Sequence, residues 1–316
     1  MIRYLIRRIL QAIVIVFGVT LVVFILTQFI PGGPAAAALG VKRTPEAVAD
    51  FNRVNGYDNP LWQQYIDYVW GIIRHFNLGY SYNRNEAVRS AIQDALPKTL
   101  ILVGISTIFA VLVAIPLGVL QVIRRNKPID YTLTGASFIF YAMPSFLLGQ
   151  LLILYFAIDL GWFPVAAPNT DSTLAILEDP RALVLPVLTL SAITIAAFSR
   201  YMRSSMMEAM TQDYIRTARA KGAANRRVLF RHGLRNALIP IITLLGLALP
   251  TIVGGAVITE TVFNYPGMGL LTTRAAENTD VFLLLGTTFV AALATVVGSL
   301  VADICYAVAD PRVRYS

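Results

Sequence analysis

Six apolar runs, each followed by a polar segment, limit what this chain can fold into. At 1.5 Å per residue, a helix of about 20 residues crosses the roughly 30 Å hydrocarbon core of a bilayer. A soluble helical protein can bury one such run, but six of them, in a chain that is 56% hydrophobic and 14% charged, exceed a soluble core. The sequence therefore predicts an all-α membrane protein with six transmembrane helices, of which the fourth is the shortest. The runs are Ile9–Ile30, Thr99–Ile123, Tyr131–Ile158, Leu183–Phe198, Ala237–Thr259 and Val281–Ala302.

The basic residues between the runs predict the orientation of the chain. With a cytoplasmic N-terminus, the cytoplasmic segments hold 17 of the 26 basic residues and five of the 18 acidic ones. Short loops rich in Lys and Arg stay on the cytoplasmic side. We therefore expect both termini and the segment 200–235 to be cytoplasmic. The net charge of +8 then reflects topology, and no nucleic-acid partner is expected.

The N-terminus shares one feature with a secretory signal peptide. Arg7 and Arg8 precede an apolar run, and Ala35–Ala38 offers small residues for cleavage. The run is about 22 residues long, whereas the apolar part of a signal peptide spans roughly 7–15 residues. We expect the run to be retained, so that residues 1–30 form a cytoplasmic tail and the first transmembrane helix.

Residues 31–96 are predicted to form a small external subdomain with two helices. Thr44–Val54 has Thr44 as its N-cap and Pro45 at the first helical position. Leu61–Phe76 carries apolar residues near helical spacing. Two roles remain open for the subdomain: a structural cap on the membrane face, or a surface that docks an external protein or holds a solute.

Four prolines lie in or beside the second to fourth spans, namely Pro97, Pro116, Pro144 and Pro186. Neighbouring helices can accommodate a proline in a membrane helix, and a proline can also bend the helix. The sequence leaves both possibilities open.

The chain lacks the residue patterns of an enzyme that uses a nucleotide or a metal. It has no Gly-Lys dipeptide, and hence no phosphate-binding loop of the GxxxxGK[ST] type. Its two histidines, His75 and His232, are predicted on opposite sides of the membrane, and the single Cys305 cannot form a cysteine cluster. We therefore name no catalytic, cofactor-binding or metal-binding residue and expect no enzymatic activity of this chain.

The cores of the predicted spans contain no Asp, Glu, Lys, Arg or His. Ion-coupled carriers usually need such groups inside the membrane. The nearest is Asp303, at the inner end of the last span, which we expect to face the cytoplasm or to pair with an arginine. A transporter built on this chain therefore needs an external motor.

The stretch from Asp213 to Pro240, called the basic loop below, is the most structured of the predicted cytoplasmic segments. Asp213 and Asn225 fit the N-cap position, and Gly222 falls where the first helix should end. We predict two short amphipathic helices joined by a tight turn, followed by Pro240 at the mouth of the next hydrophobic segment. A solvated loop, with or without bound anionic lipid, needs neither caps nor an apolar face. A helix-in-groove contact with a cytoplasmic partner uses both.

The basic loop and several other stretches resemble a known family. Asp213–Ile241 resembles the EAA loop of the integral-membrane subunits of ABC importers, and DYIRTARAKG followed by RHGLRNALIP is similar to the dipeptide and oligopeptide permeases. The usual acidic-Ala-Ala start is here Arg216–Ala218, the variant of the peptide branch. Further stretches that agree in order are RYLIRRIL, FIPGGP, NPLWQQYIDYVWGI, NLGYS, MPSF, RSSMMEAM, ITETVFNYPGMG and DPRVRYS.

The resemblance implies a type I importer permease in a bacterial or archaeal cytoplasmic membrane. It implies as partners a homologous second permease, two cytoplasmic ATPase subunits that carry the ATP and magnesium, an extracytoplasmic solute-binding protein, and membrane lipid. Residues 97–309 would form the core permease domain and 310–316 a cytoplasmic tail. The substrate would be a peptide, with nickel chelates, glutathione and oligosaccharides as alternatives, and the residues that line its path are not identified. The implied ATPase-coupling residues are Asp213, Tyr214, Arg216, Thr217, Ala218, Lys221, Gly222, Asn225, Arg231, Asn236 and Pro240.

Overall fold

The computed structural model describes residues 2–29, 33–40, 44–168 and 175–309, and these residues are mostly helical. The tail 310–316 and the sequence Pro31–Gly32 lie outside the described residues, as does the side chain of Cys305. One antiparallel hairpin pairs β1 (Tyr80–Ser81) with β2 (Glu86–Ala87). The helices are α1 Ile2–Thr27, α2 Gly33–Leu39, α3 Pro45–Asn55, α4 Leu61–His75, α5 Val88–Ile123, α6 Pro128–Ala142, α7 Ser145–Leu152, α8 Ala175–Glu178, α9 Pro180–Ala209, α10 Asp213–Ala220, α11 Asn225–Arg227, α12 Arg235–Val262, α13 Met268–Glu277 and α14 Val281–Ala309, with π-helical segments at Ile153–Asp159 and Val228–Leu234.

Four helical segments of the described chain are long and apolar enough to cross a membrane. They are Ile6–Thr27, Val88–Ile123, Pro180–Ala209 and Val281–Val301, and they overlap the predicted first, second, fourth and sixth spans. The bent pair formed by α6 and the segment Ser145–Asp159 can supply a fifth. Helix α12, 28 residues long, covers the remaining apolar run, and its role as a span remains a prediction.

The third apolar run differs from the straight span that a single run suggests. It is broken after α6, and the two halves meet at an angle of 106°. Met143 and Pro144 at the break are extended, with ψ of 127° and 132°. Proline disfavours the helical conformation in the residue before it, which explains why the helix stops at this point. By contrast, α5 continues through Pro97 and Pro116, and α9 through Pro186.

Helix α9 is the central element of the bundle, because it contacts α5, α6, α7 and α12. Its closest partner is α5. A Cβ built on Gly118 of α5 would lie 2.6 Å from the Met202 Cβ and 2.8 Å from the Ser199 carbonyl oxygen, so glycine is required for this approach. Any movement of α9 must therefore displace several neighbouring helices.

The two predicted helices of the segment 31–96 are present, as α3 and α4. The Thr44 hydroxyl accepts a hydrogen bond from the Ala47 amide at 3.2 Å, and Pro45 follows as predicted. Helix α4 is anchored on α1, since the Tyr65 hydroxyl donates to the Phe17 carbonyl at 2.7 Å. Tyr65 and Tyr68 of α4 thus pack on α1 and α14. Both roles of the subdomain, as a structural cap on the membrane face or as a docking surface, remain predictions.

The two terminal helices of the bundle are joined by an ion pair. Arg8 Nε of α1 lies 2.9 Å from Asp303 Oδ2 of α14. This confirms the expectation that Asp303 pairs with an arginine. The carboxylate therefore serves to hold α1 and α14 together at the end of the molecule where α9 leads into the basic loop.

Candidate functional site

The first helix of the basic loop, α10, ends as the glycine predicts. Gly222 has φ of +77°, a conformation that L side chains rarely adopt. The Gly222 amide donates to the Arg219 carbonyl at 2.9 Å, and the Ala223 amide donates to the Ala218 carbonyl at 3.1 Å. These two bonds form a Schellman motif, which closes the helix and reverses the chain in a defined direction.

The two expected N-caps are wrong by one residue. Asp213 is the first residue of α10, and the Gln212 carbonyl accepts the first helical bonds, from the Ile215 and Arg216 amides. In the same way Ala224 precedes α11, and its carbonyl accepts from the Val228 amide at 3.0 Å. Neither Gln212 nor Ala224 caps the helix with its side chain. Asp213 instead places an acidic group in the first turn of α10, where the helix dipole favours it.

The second predicted helix is not a separate element. After α11 the chain continues through the π-helical segment Val228–Leu234 directly into α12. Leu234 and Arg235 both have helical dihedral angles, so nothing stops the helix between them. Pro240 lies in the second turn of α12, near the start of the apolar run as predicted, and the helix continues through it. The basic loop is thus rigidly continuous with the helix that follows it.

The apolar residues of the basic loop are used to fold it. Ile215 and Ala218 of α10 pack on Val228 of the π-helical segment, and all three are buried. Met210, at the end of α9, joins this cluster. The loop therefore presents little of the apolar face that the amphipathic pattern suggests, because that face is satisfied within the chain.

A second contact fixes the loop to α9. Gly233 of the π-helical segment is buried, and a Cβ built on it would lie 2.9 Å from both the Met206 Cε and the Met210 Sδ. Glycine therefore allows this segment to lie directly on the two methionine side chains. The loop and the end of α9 form one packed unit.

The outward face of the loop is polar and charged. Of the predicted coupling residues only Ala218 is buried, and the others are exposed. Arg216 pairs with Asp213 at 3.3 Å, and the Thr217 hydroxyl donates to the Asp213 carbonyl. The exposed large apolar residues of this loop include Tyr214 and Phe230. The exposed coupling residues are Asp213, Tyr214, Arg216, Thr217, Lys221 and Gly222 around α10, Asn225 in α11, Arg231 in the π-helical segment, and Asn236 and Pro240 in α12.

A buried ion pair supports α9 just before the loop, and the sequence did not predict it. Arg203 donates from Nε to Asp130 Oδ1 and from Nη2 to Asp130 Oδ2, both at 3.0 Å. The Asn126 amide also donates to Asp130 Oδ2, at 3.1 Å. Asp130 is 2% exposed. The available signal was a lone acidic residue after the basic stretch Arg124–Lys127, at the start of an apolar run.

The far end of α12 is fixed by a second unpredicted network. The fully buried Glu260 accepts from the Gly269 and Leu270 amides at 2.6 and 3.1 Å, so that its carboxylate caps the N-terminus of α13. The Thr99 hydroxyl of α5 donates to the same carboxylate at 2.6 Å. A Cβ on Gly267 would lie 2.5 Å from the carboxylate. The two glycines of the PGMG sequence, Gly267 and Gly269, were therefore a signal that this segment packs closely against α12.

In the ranges that the structure describes, no three His, Cys, Asp or Glu side chains lie together as metal ligands would. The basic loop presents a positively charged face with exposed hydrogen-bonding groups.

Two family profiles together match nearly the whole chain. The profile described as binding-protein-dependent transport system inner membrane component matches residues 110–315, and the profile for the N-terminal part of such components matches residues 1–103. A solved structure of the MetNI methionine ABC transporter in an inward-facing conformation aligns with a TM-score of 0.49 and 18% identity, over 66% of this chain and 93% of the other.

Curated relatives extend along the full length. The oligopeptide transport system permease protein AppB of Bacillus subtilis is 39% identical and is covered over 100% of both chains. The di/tripeptide transport system permease protein DppB of Pseudomonas aeruginosa is 36% identical, and the dipeptide transport system permease protein DppB of Escherichia coli is 33% identical. Both alignments cover 100% of this chain and 99% of the relative.

Proposed function

The chain belongs to the family of binding-protein-dependent transport system inner membrane components, and on that basis we propose that it is a membrane-spanning permease subunit of an ATP-driven importer of dipeptides or oligopeptides. The observation that carries the proposal is the basic loop, a folded unit with a charged outward face. The peptide names of the three relatives favour peptides over nickel chelates, glutathione or oligosaccharides.

The proposed complex contains this chain and a homologous second permease, which together enclose the solute path. Two cytoplasmic ATPase subunits bind ATP and magnesium, and each of them contacts the basic loop of one permease. An extracytoplasmic binding protein delivers the peptide, and the 31–96 subdomain is the proposed surface for it. Six transmembrane helices, including α12, put both termini and the basic loop in the cytoplasm.

The geometry of the basic loop supports a coupling role. A flexible loop would absorb a displacement imposed by an ATPase, whereas a loop closed by a Schellman motif and packed on Met206 and Met210 passes it to α9. The continuous helix from α11 into α12 passes the same displacement along the next span. The contact with the ATPase is then mainly polar, through the exposed coupling residues, which include Tyr214.

Substitution of Gly222 tests the coupling role. A Cβ at this position meets nothing within 4 Å, so any effect of a side chain comes from the φ of +77° alone. Gly222→Val should distort the turn, because a β-branched residue is strongly disfavoured at positive φ. Gly222→Asn is the matched control, because asparagine tolerates this conformation.

The measurement uses the complex reconstituted in proteoliposomes with its partner subunits. We expect Gly222→Val to insert normally but to lose most ATPase binding and peptide uptake, and Gly222→Asn to keep both. Normal ATPase binding and uptake in Gly222→Val would contradict the coupling role. The solute is tested by adding unlabelled competitors to the uptake assay. If nickel chelate, glutathione or oligosaccharide inhibits uptake and peptide does not, the inhibiting compound and not a peptide is the solute.

A further inference from the structure

Helix α4 of the 31–96 subdomain has three different sides. The first side packs on the bundle through Tyr65, Tyr68 and Ile72. The second is exposed and polar, and it carries Asp67 and Arg74. The third is exposed but apolar. Its residues are three or four positions apart and therefore share one side of the helix, and they are Trp62, Ile66, Trp70 and Ile73.

The apolar side is too extensive to be explained as scattered surface residues. Its four side chains are between 53% and 66% exposed, and they follow one another along almost the whole helix. A contiguous exposed apolar patch on a protein marks a contact with another protein or with a membrane. The polar side of the same helix shows what its water-facing surface looks like. The apolar side is therefore covered by another molecule.

The contacts of α4 with α1 give its level relative to the membrane. The Tyr65 hydroxyl donates to the Phe17 carbonyl, ten residues, or roughly 15 Å, before the end of α1 at Thr27. The centroid of the Tyr65 ring is also 5.4 Å from that of the Phe24 ring. Both of these α1 residues belong to the candidate span Ile6–Thr27. At Tyr65, helix α4 therefore lies beside the apolar span and not beyond its end.

The exposed surface of α1 beside this contact is also apolar. Leu21 and Ile25 follow Phe17 at intervals of four residues, and both are exposed. Contacts between membrane helices are enriched in Gly, Ala, Ser and Thr. The exposed surfaces of α1 and α4 carry Leu, Ile and Trp at these positions, which favours lipid over a second protein helix as the neighbour.

Two arginines border the apolar side of α4. The guanidinium Cζ of Arg74 lies 5.9 Å from the centroid of the Trp70 ring, and that of Arg89, at the start of α5, lies 5.9 Å from the centroid of the Phe76 ring. Tryptophan is enriched at the level of the lipid headgroups, and arginine extends its charge to that level while its stem covers apolar surface. This arrangement fits the boundary between hydrocarbon and lipid phosphate.

We propose that the side of α4 formed by Trp62, Ile66, Trp70 and Ile73 is immersed in membrane lipid, as an interfacial helix attached to the first span. The leaflet is the one at the C-terminal end of α1, which is the outer leaflet in the proposed orientation. The proposal depends on the membrane location of the family and not on the solute that is carried. The polar side stays in water, as in other interfacial helices, and is the part of α4 that a binding protein can reach.

The test compares neighbouring residues on the two exposed sides of α4. In a Cys305→Ala background, Ile66→Cys and Asp67→Cys are each labelled with the fluorophore bimane in the complex with cysteine-free partner subunits, which is then reconstituted in liposomes. Emission is quenched either by spin labels on the lipid acyl chains or by iodide in the buffer. Ile73→Cys and Arg74→Cys repeat the comparison about two turns further along the helix. Elution with the wild-type complex in gel filtration shows that a variant is folded.

We expect the spin-labelled lipid to remove most of the emission at positions 66 and 73 and little at 67 and 74. Iodide should give the opposite result, and emission at 66 and 73 should lie at shorter wavelength. Quenching at 66 and 73 by iodide and not by lipid would show a water-facing side and overturn the proposal.

Protection of positions 66 and 73 from both quenchers also overturns the proposal, because protein then covers the apolar side. If iodide quenches these positions once the binding protein is left out, the binding protein is the occupant. If they stay protected, the second permease is. None of these results depends on peptide uptake, so the proposed function is tested separately.

Discussion

Breaking the ion pair between Asp130 and Arg203 should destabilise the bundle measurably. Asp130→Ala removes three hydrogen bonds at 3.0 to 3.1 Å and leaves Arg203 without its carboxylate. Removing one partner of a fully buried pair costs about 3–5 kcal/mol. The Arg203 side chain remains 27% exposed and recovers part of its hydration, so we expect a loss of about 2–3 kcal/mol in the free energy of unfolding.

A double-mutant cycle isolates the interaction. The free energies of unfolding of the wild type, Asp130→Ala, Arg203→Ala and the double variant are measured for the purified protein in detergent by titration with a denaturing surfactant. The double variant should lose less than the sum of the single losses, by a coupling energy of about 2 kcal/mol. Arg124→Ala, at an exposed position just before α6, is the control and should change little.

The outcome bears directly on the proposed role of the pair. A coupling energy below about 0.5 kcal/mol would show that the two side chains act independently, and the pair could then not hold α6 to the end of α9. Asp130→Asn keeps the shape of the side chain but not its charge. We expect it to lower the free energy of unfolding by about half as much as Asp130→Ala, because one guanidinium N–H then meets an amide nitrogen that cannot accept a hydrogen bond.

Two further predictions concern the opposite end of α12 and the topology. Gly269→Ala places a Cβ against the Cα of Val257 and should lower the free energy of unfolding by about 1–3 kcal/mol through overpacking. Gly135→Ala is the control, because its Cβ meets nothing within 4 Å, and it should cause no such loss. Thermal unfolding of both variants measures the difference. Equal stability of the two variants would contradict the close packing of α13 on α12. Cysteines at Asn52 and Arg227 should react with membrane-impermeant reagents from opposite sides of the membrane, and labelling from the same side would overturn the proposed orientation.

Local features of the fold could be predicted where one residue type has one physical role. Thr44 followed by Pro45 predicted the start of α3, and Gly222 predicted the end of α10, because a cap hydroxyl and a positive φ are each met by few residues. The apolar runs likewise predicted the long helices, because hydropathy reports contact with hydrocarbon. These inferences need no knowledge of the tertiary structure.

The remaining features depend on contacts between distant segments. Hydropathy does not distinguish a straight span from two halves at 106°, so the break at Pro144 could not be told from the tolerated prolines. Glu260 and Thr99 are 161 residues apart in sequence, and nothing local marks them as partners. The apolar residues of the basic loop predicted an exposed binding face, but Ile215 and Val228 pack against each other inside the loop and are buried.

The continuity of α12 has a consequence for how this chain can vary in length. Each residue of an α-helix turns it by about 100°, so one inserted or deleted residue between Arg235 and Glu260 would rotate the carboxylate away from the N-terminus of α13. The basic loop would keep its place while the cap at the other end is lost. Substitutions along α12 leave the two ends in phase, whereas we expect insertions and deletions to be tolerated only outside this helix.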